Sequence, residues 1–490
     1  MMKNIRAGEK FAFDVVWVFG SSIVVLLLHF FQKPIMARYL GPDGLGLFSI
    51  SLMIVGILEL ITLFGIDYAL VKFVAEHKED KEKVYSLISS ALFTILIIGI
   101  MASLSLFLLS DALADIFDMP LLSSLLKIYA FAFSFSVLHG IIIGCFRGLR
   151  EMKYYAFIRI LQASLALMFI LAFIIIGMGV KGAMLGTILA IITTVSIAMM
   201  IMKRFVRFTV SDYRKNVKML LSFGSRMVSA NMIGYVYLYI DAIMIGYFLT
   251  STDVGYYEIA TSLSKFFLLF PNAIGTVAYP TISAYWARGD IQAINKLVDK
   301  AMKYSSCVLT FAGMAIIFFA EEVITFIFSS KFLPAVIPLA ILIIGTVISG
   351  TIRSLGAIFA SVGRPDLTLK ITTISAIINV FLNVILITPY GIIGAATATT
   401  TARVMFVIIT VYLLRKVIAI KFDSFWYIKK GILIVASTVL FYILSPLNNY
   451  FSAVVALLLY IIFVMKYLLT REDINYFVSI AKRYGDFIKM

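Results

Sequence analysis

The stretch at residues 37–49, ARYLGPDGLGLFS, joins two long apolar runs near the start of the 490-residue chain. Its glycines and its proline end one helix and let the next begin at once. The pattern returns at residues 247–257, YFLTSTDVGYY, again between apolar runs. Gly46 is matched there by Gly255, and Leu40 by Leu249, at one constant offset. This repetition predicts a duplicated domain.

The composition is that of a multi-pass membrane protein. Hydrophobic residues make up 62% of the chain and charged residues only 14%, and apolar runs recur from end to end. A run of about 20 apolar residues crosses the ~30 Å hydrocarbon core of a bilayer as a helix. We therefore expect an all-α polytopic membrane protein with about fourteen transmembrane helices.

The net charge of +16 is explained by membrane topology. With the amino terminus inside, most of the 42 lysines and arginines fall in the segments on the cytoplasmic side. This distribution satisfies the positive-inside rule. It predicts that both termini are cytoplasmic, and it excludes nucleic acid as a partner.

Further repeats divide the chain into halves. Phe19-Gly20-Ser21 recurs as Phe223-Gly224-Ser225, and a glycine-rich turn at residues 179–183 recurs at residues 391–395. We predict one six-helix bundle at residues 1–204, a second at 205–414, and two further helices with a cytoplasmic tail at 415–490. Because six is even, the halves are parallel repeats about a pseudo-two-fold axis along the membrane normal. Such repeats place a substrate cavity at their interface, open alternately to either side.

Six basic side chains fall within the apolar spans and carry the strongest chemical signal. A charged group at the centre of a transmembrane helix costs roughly 2.5–3.5 kcal/mol on insertion scales, so it faces a wet cavity or a partner. Arg159 lies near a cytoplasmic end, where it can extend to the interface. The cavity candidates are Arg226, Lys265, Arg353, Arg403 and, nearer an outer end, Lys127. Structural ion pairs are the competing interpretation.

Four acidic residues also lie in spans and are candidates for ion coupling or gating: Glu59, Asp67, Asp241 and Glu258. Glu59 is the deepest, and Asp67 and Asp241 are nearer helix ends, which favours packing or gating there. The sequence has no nucleotide-binding P-loop, no H-E-x-x-H and no C-x-x-C, and its histidines show no metal-ligand spacing. We therefore predict no catalytic residue, no metal and no cofactor.

Several segments in both halves resemble one known group of membrane proteins. They are LGPDGLGLFSI and GIDYALVKFVA in the first half, and YIDAIMIGYFLTSTDVGYYEIA, FPNAIGTVAYPTIS and YGIIGAATAT in the second. The whole chain is similar to the Wzx-type polysaccharide flippases of the multidrug/oligosaccharidyl-lipid/polysaccharide superfamily. The resemblance implies two six-helix bundles, with two further carboxy-terminal helices in many members. It also implies transport of isoprenoid-diphosphate-linked sugars across the cytoplasmic membrane.

These observations predict a flippase, not an enzyme, that moves an isoprenoid-diphosphate-linked oligosaccharide from the inner to the outer leaflet by alternating access. Arginine offers a planar fork that matches phosphate oxygens, and the isoprenoid tail is expected to stay among membrane lipids. Glycan-assembly enzymes are candidate partners. The predicted hinge lies at Gly41, Gly44, Gly46 and Gly255. The alternatives are a cation-coupled multidrug exporter of the same superfamily and a membrane-embedded glycan polymerase or ligase.

Overall fold

The computed structural model describes residues 2–209 and 211–473, and within them every regular element is a helix. The predicted tail after residue 473 lies outside the described residues. The α-helices, in chain order, are α1 (Met2–Leu63), α2 (Ile66–Glu76), α3 (Lys81–Ile116), α4 (Pro120–Gly148), α5 (Met152–Ile175), α6 (Gly179–Met202), α7 (Tyr213–Phe248), α8 (Ser251–Phe266), α9 (Leu269–Ala287), α10 (Ile291–Phe318), α11 (Ala320–Ile327), α12 (Val336–Arg353), α13 (Ile358–Ser361), α14 (Pro365–Val417), α15 (Ser424–Leu444) and α16 (Asn449–Phe463). A short 3₁₀ helix, Ser330–Ala335, precedes α12, and a π-helical turn, Val464–Leu468, follows α16.

The protein is a multi-pass membrane protein. In the described part of the chain, ten helices are long and apolar enough to cross a membrane, or twelve if each of two bent helix pairs is one span. The count of fourteen stays a prediction. Two helical segments, of 51 and 53 residues, are each long enough for two spans. Each of them is interrupted by a single non-helical glycine, Gly41 in α1 and Gly391 in α14.

These two glycines break their helices because of their backbone angles. Gly41 has φ 69° and ψ −177°, and Gly391 has φ 57° and ψ −140°. Positive φ values are accessible to glycine and strained for other residues. Both glycines belong to the repeated segments of the sequence, and the breaks lie where those glycine-rich segments predict that helices end.

Four other helices begin at side chains that cap their free backbone N–H groups. In each case the side chain of the N-cap residue accepts a hydrogen bond from a backbone N–H: Asp80 from Lys83 (3.0 Å), Asp290 from Ala293 (2.9 Å), Asp423 from Trp426 (3.1 Å) and Asn448 from Phe451 (3.0 Å). Such caps stabilise a helix by about 0.5–2 kcal/mol each. The pKa of Asp423 is lowered below its usual value because its carboxylate accepts a hydrogen bond from the N–H of Trp426. A second hydrogen bond, from the ammonium of Lys303, lowers the pKa further.

The chain forms two compact units. Unit 1 comprises Met1–Glu258, Ile327–Phe332 and Val380–Ala395, and unit 2 comprises Ile259–Phe326, Leu333–Asn379 and Ala396–Met490. The division of the sequence at residues 204 and 414 follows the repeats and stays a prediction.

Within unit 2, the last two α-helices pack beside α10. Phe318 of α10 stacks on Phe441 of α15, with ring centroids 4.2 Å apart. Tyr460 of α16 donates a hydrogen bond to the carbonyl oxygen of Cys307 at 3.2 Å. The two predicted extra helices are therefore built into the core of unit 2.

Candidate functional site

In unit 2, Arg403 of α14 is bound to the side of α12. Its Nη1 donates to the carbonyl oxygen of Leu342 at 3.1 Å and to Oγ1 of Thr346 at 2.7 Å. The Arg403 side chain is half-buried. A guanidinium carries five N–H donors, so these two contacts leave others for a ligand or water.

Arg353 lies in the last turn of α12, on the same face as the residues that hold Arg403. Positions 342, 346 and 353 are separated by four and seven residues, which places them along one stripe of an α-helix. A rise of 1.5 Å per residue puts Arg353 roughly 10 Å along the axis from Thr346. Its side chain is half-buried and makes no hydrogen bond or ion pair with the described residues.

The backbone around Arg353 is fixed by a close contact between two glycines. A Cβ on Gly275 of α9 would lie 2.8 Å from Cα of Gly356 and 2.9 Å from the carbonyl oxygen of Arg353. Gly356 itself has φ +58°. Because neither position has room for a side chain, the turn that follows Arg353 packs directly on α9. The arginine is thus placed by rigid backbone.

Lys265 also belongs to unit 2 and lies in the last turn of α8. Its side chain is half-buried. The helix ends at Phe266 and α9 begins at Leu269, with a bend of 42° between them.

The basic candidates of unit 1 have different surroundings. Lys127 forms an ion pair with Asp111, with Nζ 2.7 Å and 2.8 Å from the two carboxylate oxygens. Arg226 of α7 is exposed, and its side chain makes no hydrogen bond or ion pair with the residues that the structure describes.

Because Lys127 is already held by Asp111, we expect Lys127→Ala to be mild. The pair is largely exposed, and exposed pairs contribute about 0.2–1 kcal/mol. The variant should keep its apparent Tm within about 2 °C of the parent. If the predicted flippase function holds, its translocation rate should stay within about threefold of the parental rate. The translocation rate in proteoliposomes checks this prediction. A fall in that rate as large as the one expected for Arg353→Gln would show that Lys127 contacts the substrate.

A second ion pair in unit 1 joins Lys33 of α1 to Glu258 of α8. Their side chains are 30% and 14% exposed, so the pair is more shielded than Lys127–Asp111. The neighbouring Arg38 donates through Nε to the carbonyl oxygen of Ile327 at 3.1 Å. Glu258, a candidate for coupling or gating, is therefore paired with a lysine in this structure.

Breaking the Lys33–Glu258 pair should destabilise the protein. Removing one partner of a buried pair costs about 3–5 kcal/mol, and the partial exposure here reduces our expectation for Lys33→Met to about 1–2 kcal/mol. Glu258→Gln should lower the apparent Tm by a similar amount. The reversed pair, Lys33→Glu with Glu258→Lys, should recover part of the loss. If the double variant is as unstable as the sum of the singles, the attraction between the two charges is not the source of the effect.

The other acidic candidates accept hydrogen bonds from neutral groups. Glu59 accepts through Oε1 from the hydroxyls of Ser136 and Tyr129 on α4. Asp241 is buried and accepts from Tyr257 at 3.1 Å and from Nδ2 of Asn383 at 2.7 Å.

Asp67 lies in the first turn of α2 and is half-buried. A carboxylate in that position is favoured by the helix dipole. Each acidic candidate in the spans therefore has its own local partner or helix-end environment.

Three of the four predicted hinge glycines lie where parts of unit 1 touch, whereas a Cβ on Gly41 would have no atom within 4 Å. A Cβ on Gly46 would collide with the backbone oxygen of Ser251, and a Cβ on Gly255 would collide with the carbonyl oxygen of Pro42. A Cβ on Gly44 would lie 2.8 Å from Val180. The hydroxyl of Ser251 also donates to Asp43. The two repeated segments, 37–49 and 247–257, thus interlock through glycine.

Two family models match long parts of this chain. The model described as polysaccharide biosynthesis protein matches residues 11–286, which is more than half of the chain. The chain belongs to the polysaccharide biosynthesis protein family. The model described as lipid II flippase MurJ matches residues 212–464 of this family member. The predicted resemblance to the polysaccharide flippases of the superfamily is confirmed.

Individual relatives of this polysaccharide biosynthesis protein include two proteins of Haloferax volcanii. The probable low-salt glycan biosynthesis flippase Agl15 is 29% identical over 209 residues, which is 43% of this chain and 44% of that protein. The chain therefore matches less than half the length of Agl15. The probable flippase AglR is 24% identical over 430 residues, 85% of each protein.

The fold of this family member is that of a solved flippase structure. The lipid II flippase MurJ in its inward closed conformation aligns with a TM-score of 0.71 and 17% identity. The alignment covers 93% of this chain and 99% of the MurJ chain. At this identity the likeness establishes the fold alone, and it confirms the predicted all-α membrane fold.

Sequence reasoning missed the neutral partners of the buried acids. Asn383 lies on α14, far along the chain from Asp241, and Tyr129 and Ser136 lie on α4 beside Glu59. The available signal is a polar side chain inside an apolar run, such as Asn379 and Asn383 four residues apart. That spacing indicates one helix face, but it does not identify the partner.

Proposed function

We propose that this protein is a flippase that carries an isoprenoid-diphosphate-linked oligosaccharide from the inner to the outer leaflet of the cell membrane by alternating access. Membership of the polysaccharide biosynthesis protein family supports this proposal. Its similarity to the probable flippases Agl15 and AglR and to the lipid II flippase MurJ supports it further. In this proposal the protein performs no bond chemistry, and direction comes from an ion gradient or from use of the glycan outside.

The proposed substrate assignment rests on the surroundings of Arg353. It is a cation on an apolar helix, its side chain makes no ion pair or hydrogen bond with the described residues, and its backbone is fixed by the contact of Gly275 with Gly356. Such a charge in a membrane protein faces water or an anionic ligand. A diphosphate supplies the oxygens that a guanidinium fork binds.

Arg403 extends this site along α12. Arg403 of α14 binds to the face of α12 on which Arg353 lies. It keeps N–H donors beyond those bound to Leu342 and Thr346. We assign Arg353 to the diphosphate and Arg403 to the diphosphate or the first sugar. Lys265 and Arg226 extend the proposed set of basic substrate contacts, and Lys127, which is already paired with Asp111, is its least important member. Glu59, Asp67, Asp241 and Glu258 remain proposed coupling or gating groups, and Gly41, Gly44, Gly46 and Gly255 the proposed pivot.

The test is headgroup translocation in proteoliposomes. Vesicles containing a fluorescent isoprenoid-diphosphate oligosaccharide are treated with an impermeant quencher, and the fraction that becomes accessible over time is compared with protein-free vesicles. Faster translocation with the protein supports the flippase. No acceleration across several sugars and ion gradients, combined with efflux of a cationic dye, would instead support a multidrug exporter.

A further inference from the structure

A cluster of charged and aromatic groups in unit 1 includes none of the residues assigned so far. It surrounds a cavity of about 370 Å³ between the start of α1 and the turn that joins α4 to α5. This volume is within the roughly 300–1,000 Å³ of small-molecule sites. The lining residues are Lys10, Phe13, Asp14 and Trp17 on α1, with Arg150, Glu151, Met152 and Lys153 on the turn and α5.

Arg150 occupies a backbone position that normally belongs to glycine. It has φ +56°, its N–H donates to the carbonyl of Arg147 at 3.2 Å, and the N–H of Glu151 donates to the carbonyl of Phe146 at 2.9 Å. These two hydrogen bonds define a helix-ending turn whose left-handed residue is usually glycine. A side chain at this φ is unfavourable for an L-residue.

The second half of the chain makes the same turn with glycine. Gly363 has φ +78°, its N–H donates to Ala360 at 3.1 Å, and the N–H of Arg364 donates to Phe359 at 2.7 Å. The turn therefore forms with glycine in one copy, and the other copy carries a strained arginine. Strained backbone that persists at one site is a pointer to function.

The Arg150 side chain brings a guanidinium to the cavity. Its Nη2 lies 3.9 Å from Oδ2 of Asp14, beyond hydrogen-bonding distance. That oxygen is buried and makes no hydrogen bond with the described part of the chain. The arginine and the carboxylate face each other across a gap that a polar ligand would bridge.

The lining combines three kinds of recognition group. Lysine and arginine side chains are suited to binding phosphate oxygens, and Lys10, Arg150 and Lys153 supply three of them. The N-terminus of α5 adds backbone donors because Glu151 makes no capping side-chain hydrogen bond. The carboxylates of Asp14 and Glu151 are suited to accepting hydrogen bonds from hydroxyl groups. Phe13 and Trp17 are 66% and 43% exposed and offer apolar ring faces. A phosphorylated sugar carries the matching anion, hydroxyls and apolar ring face together.

We propose that this cavity is a capture subsite for the phosphorylated sugar headgroup, on the side of the membrane where α1 begins. The positive-inside pattern assigns that side to the cytoplasm. The inference rests on the proposed flippase function and adds a first contact for the headgroup outside the basic residues of the spans. A phospholipid headgroup has the same phosphate chemistry, and the experiment separates the two sources.

Trp17 provides the readout. The chain has three tryptophans, so replacing Trp286 and Trp426 by phenylalanine leaves Trp17 as the single reporter. The probe is a short-chain isoprenyl-diphosphate disaccharide added to the purified protein, compared with inorganic pyrophosphate and with phosphatidylglycerol. We expect a saturable change in Trp17 emission with the disaccharide diphosphate and a weaker one with pyrophosphate.

Arg150→Gly is the informative variant. Glycine suits the left-handed turn, so the apparent Tm should hold or rise, while the Kd for the disaccharide diphosphate should increase about tenfold or more. Arg147→Gln is the matched control, since Arg147 is an exposed arginine at the end of the same helix and does not line the cavity. It should leave the Kd unchanged.

Other results would overturn the assignment. If Arg150→Gly leaves the Kd for the disaccharide diphosphate unchanged, Arg150 does not contribute to binding it. A phosphatidylglycerol response that competes fully with the disaccharide would reassign the cavity to lipid headgroups. Translocation by the parent without any Trp17 response would reject the subsite and leave the flippase standing. A Trp17 response in a protein that translocates nothing would reject the flippase and support a sugar-phosphate binding site.

Discussion

Replacing Arg353 by glutamine is expected to slow headgroup translocation about 10- to 100-fold in a protein that still folds. Hydrogen bonds to charged groups contribute about 1.5–3 kcal/mol each, and 1.4 kcal/mol corresponds to a factor of ten. The guanidinium makes no hydrogen bond or ion pair with the described residues. The substitution therefore removes no structural contact that they make. The measurement is the initial rate in proteoliposomes, normalised to reconstituted protein.

The competing interpretation assigns Arg353 to the helix dipole. A cation in the last turn of a helix gains about 0.3–1 kcal/mol from the dipole, and Arg353 lies in the last turn of α12. This interpretation predicts a small loss of stability in Arg353→Gln and normal transport. Arg353→Lys separates the two, because lysine keeps the charge and loses the planar fork. We expect it to transport at an intermediate rate.

Arg147→Gln is the control for Arg353, because Arg147 is likewise a last-turn arginine, in α4. It tests for a general effect of removing a positive charge from a helix end. We expect it to transport at the parental rate. Parental rates in Arg353→Gln, Arg353→Lys and Arg147→Gln together would remove Arg353 from substrate binding.

Local backbone features were predictable from the sequence because they depend on a few neighbouring residues. Gly41 and Gly391 lie in repeated glycine-rich segments, and each takes the positive φ that interrupts its helix. The charges inside apolar runs were equally visible, since an 18-residue apolar stretch makes any arginine within it conspicuous. The sequence therefore indicated the all-α class, the two helix breaks and the set of candidate charges.

The partners of those charges were not predictable, because they depend on tertiary packing. Lys33 and Glu258 meet although 225 positions separate them, and Asp241 and Asn383 are separated by 142. One sequence without related sequences gives no sign of such contacts. Arg150 illustrates a different limit. In the sequence, Arg150 is one of several basic residues in a loop and has no distinguishing feature. In the structure its φ of +56° sets it apart from the other basic residues of that loop.

Adding one methyl group at Gly46 is expected to destabilise the protein by about 3 kcal/mol or more. The new Cβ would overlap the carbonyl oxygen of Ser251, and its next neighbours are the Ser251 carbonyl carbon at 2.7 Å and the nitrogen of Gly255 at 2.9 Å. All three are backbone atoms, so no side-chain rotation relieves the clash. The segments 37–49 and 247–257 would have to separate. We expect the apparent Tm of Gly46→Ala to fall by about 5 °C or more.

Gly20→Ala is the matched control in the same helix. A Cβ there would have no atom within 4 Å, and alanine is favoured over glycine in a helix interior by about 1 kcal/mol. Its apparent Tm should therefore stay the same or rise. Gly255→Ala should behave like Gly46→Ala, because its Cβ would meet the carbonyl of Pro42.

The double variant Gly46→Ala with Gly255→Ala tests whether the two glycines act at one contact. Once the first alanine has separated the segments, the second should add little, so the combined loss should be less than the sum of the single losses. Residues that share a contact are non-additive in this way. Full additivity would indicate two independent contacts. A stable Gly46→Ala protein would mean that this close contact does not hold the two segments together, and it would remove the support for a fixed pivot at these glycines.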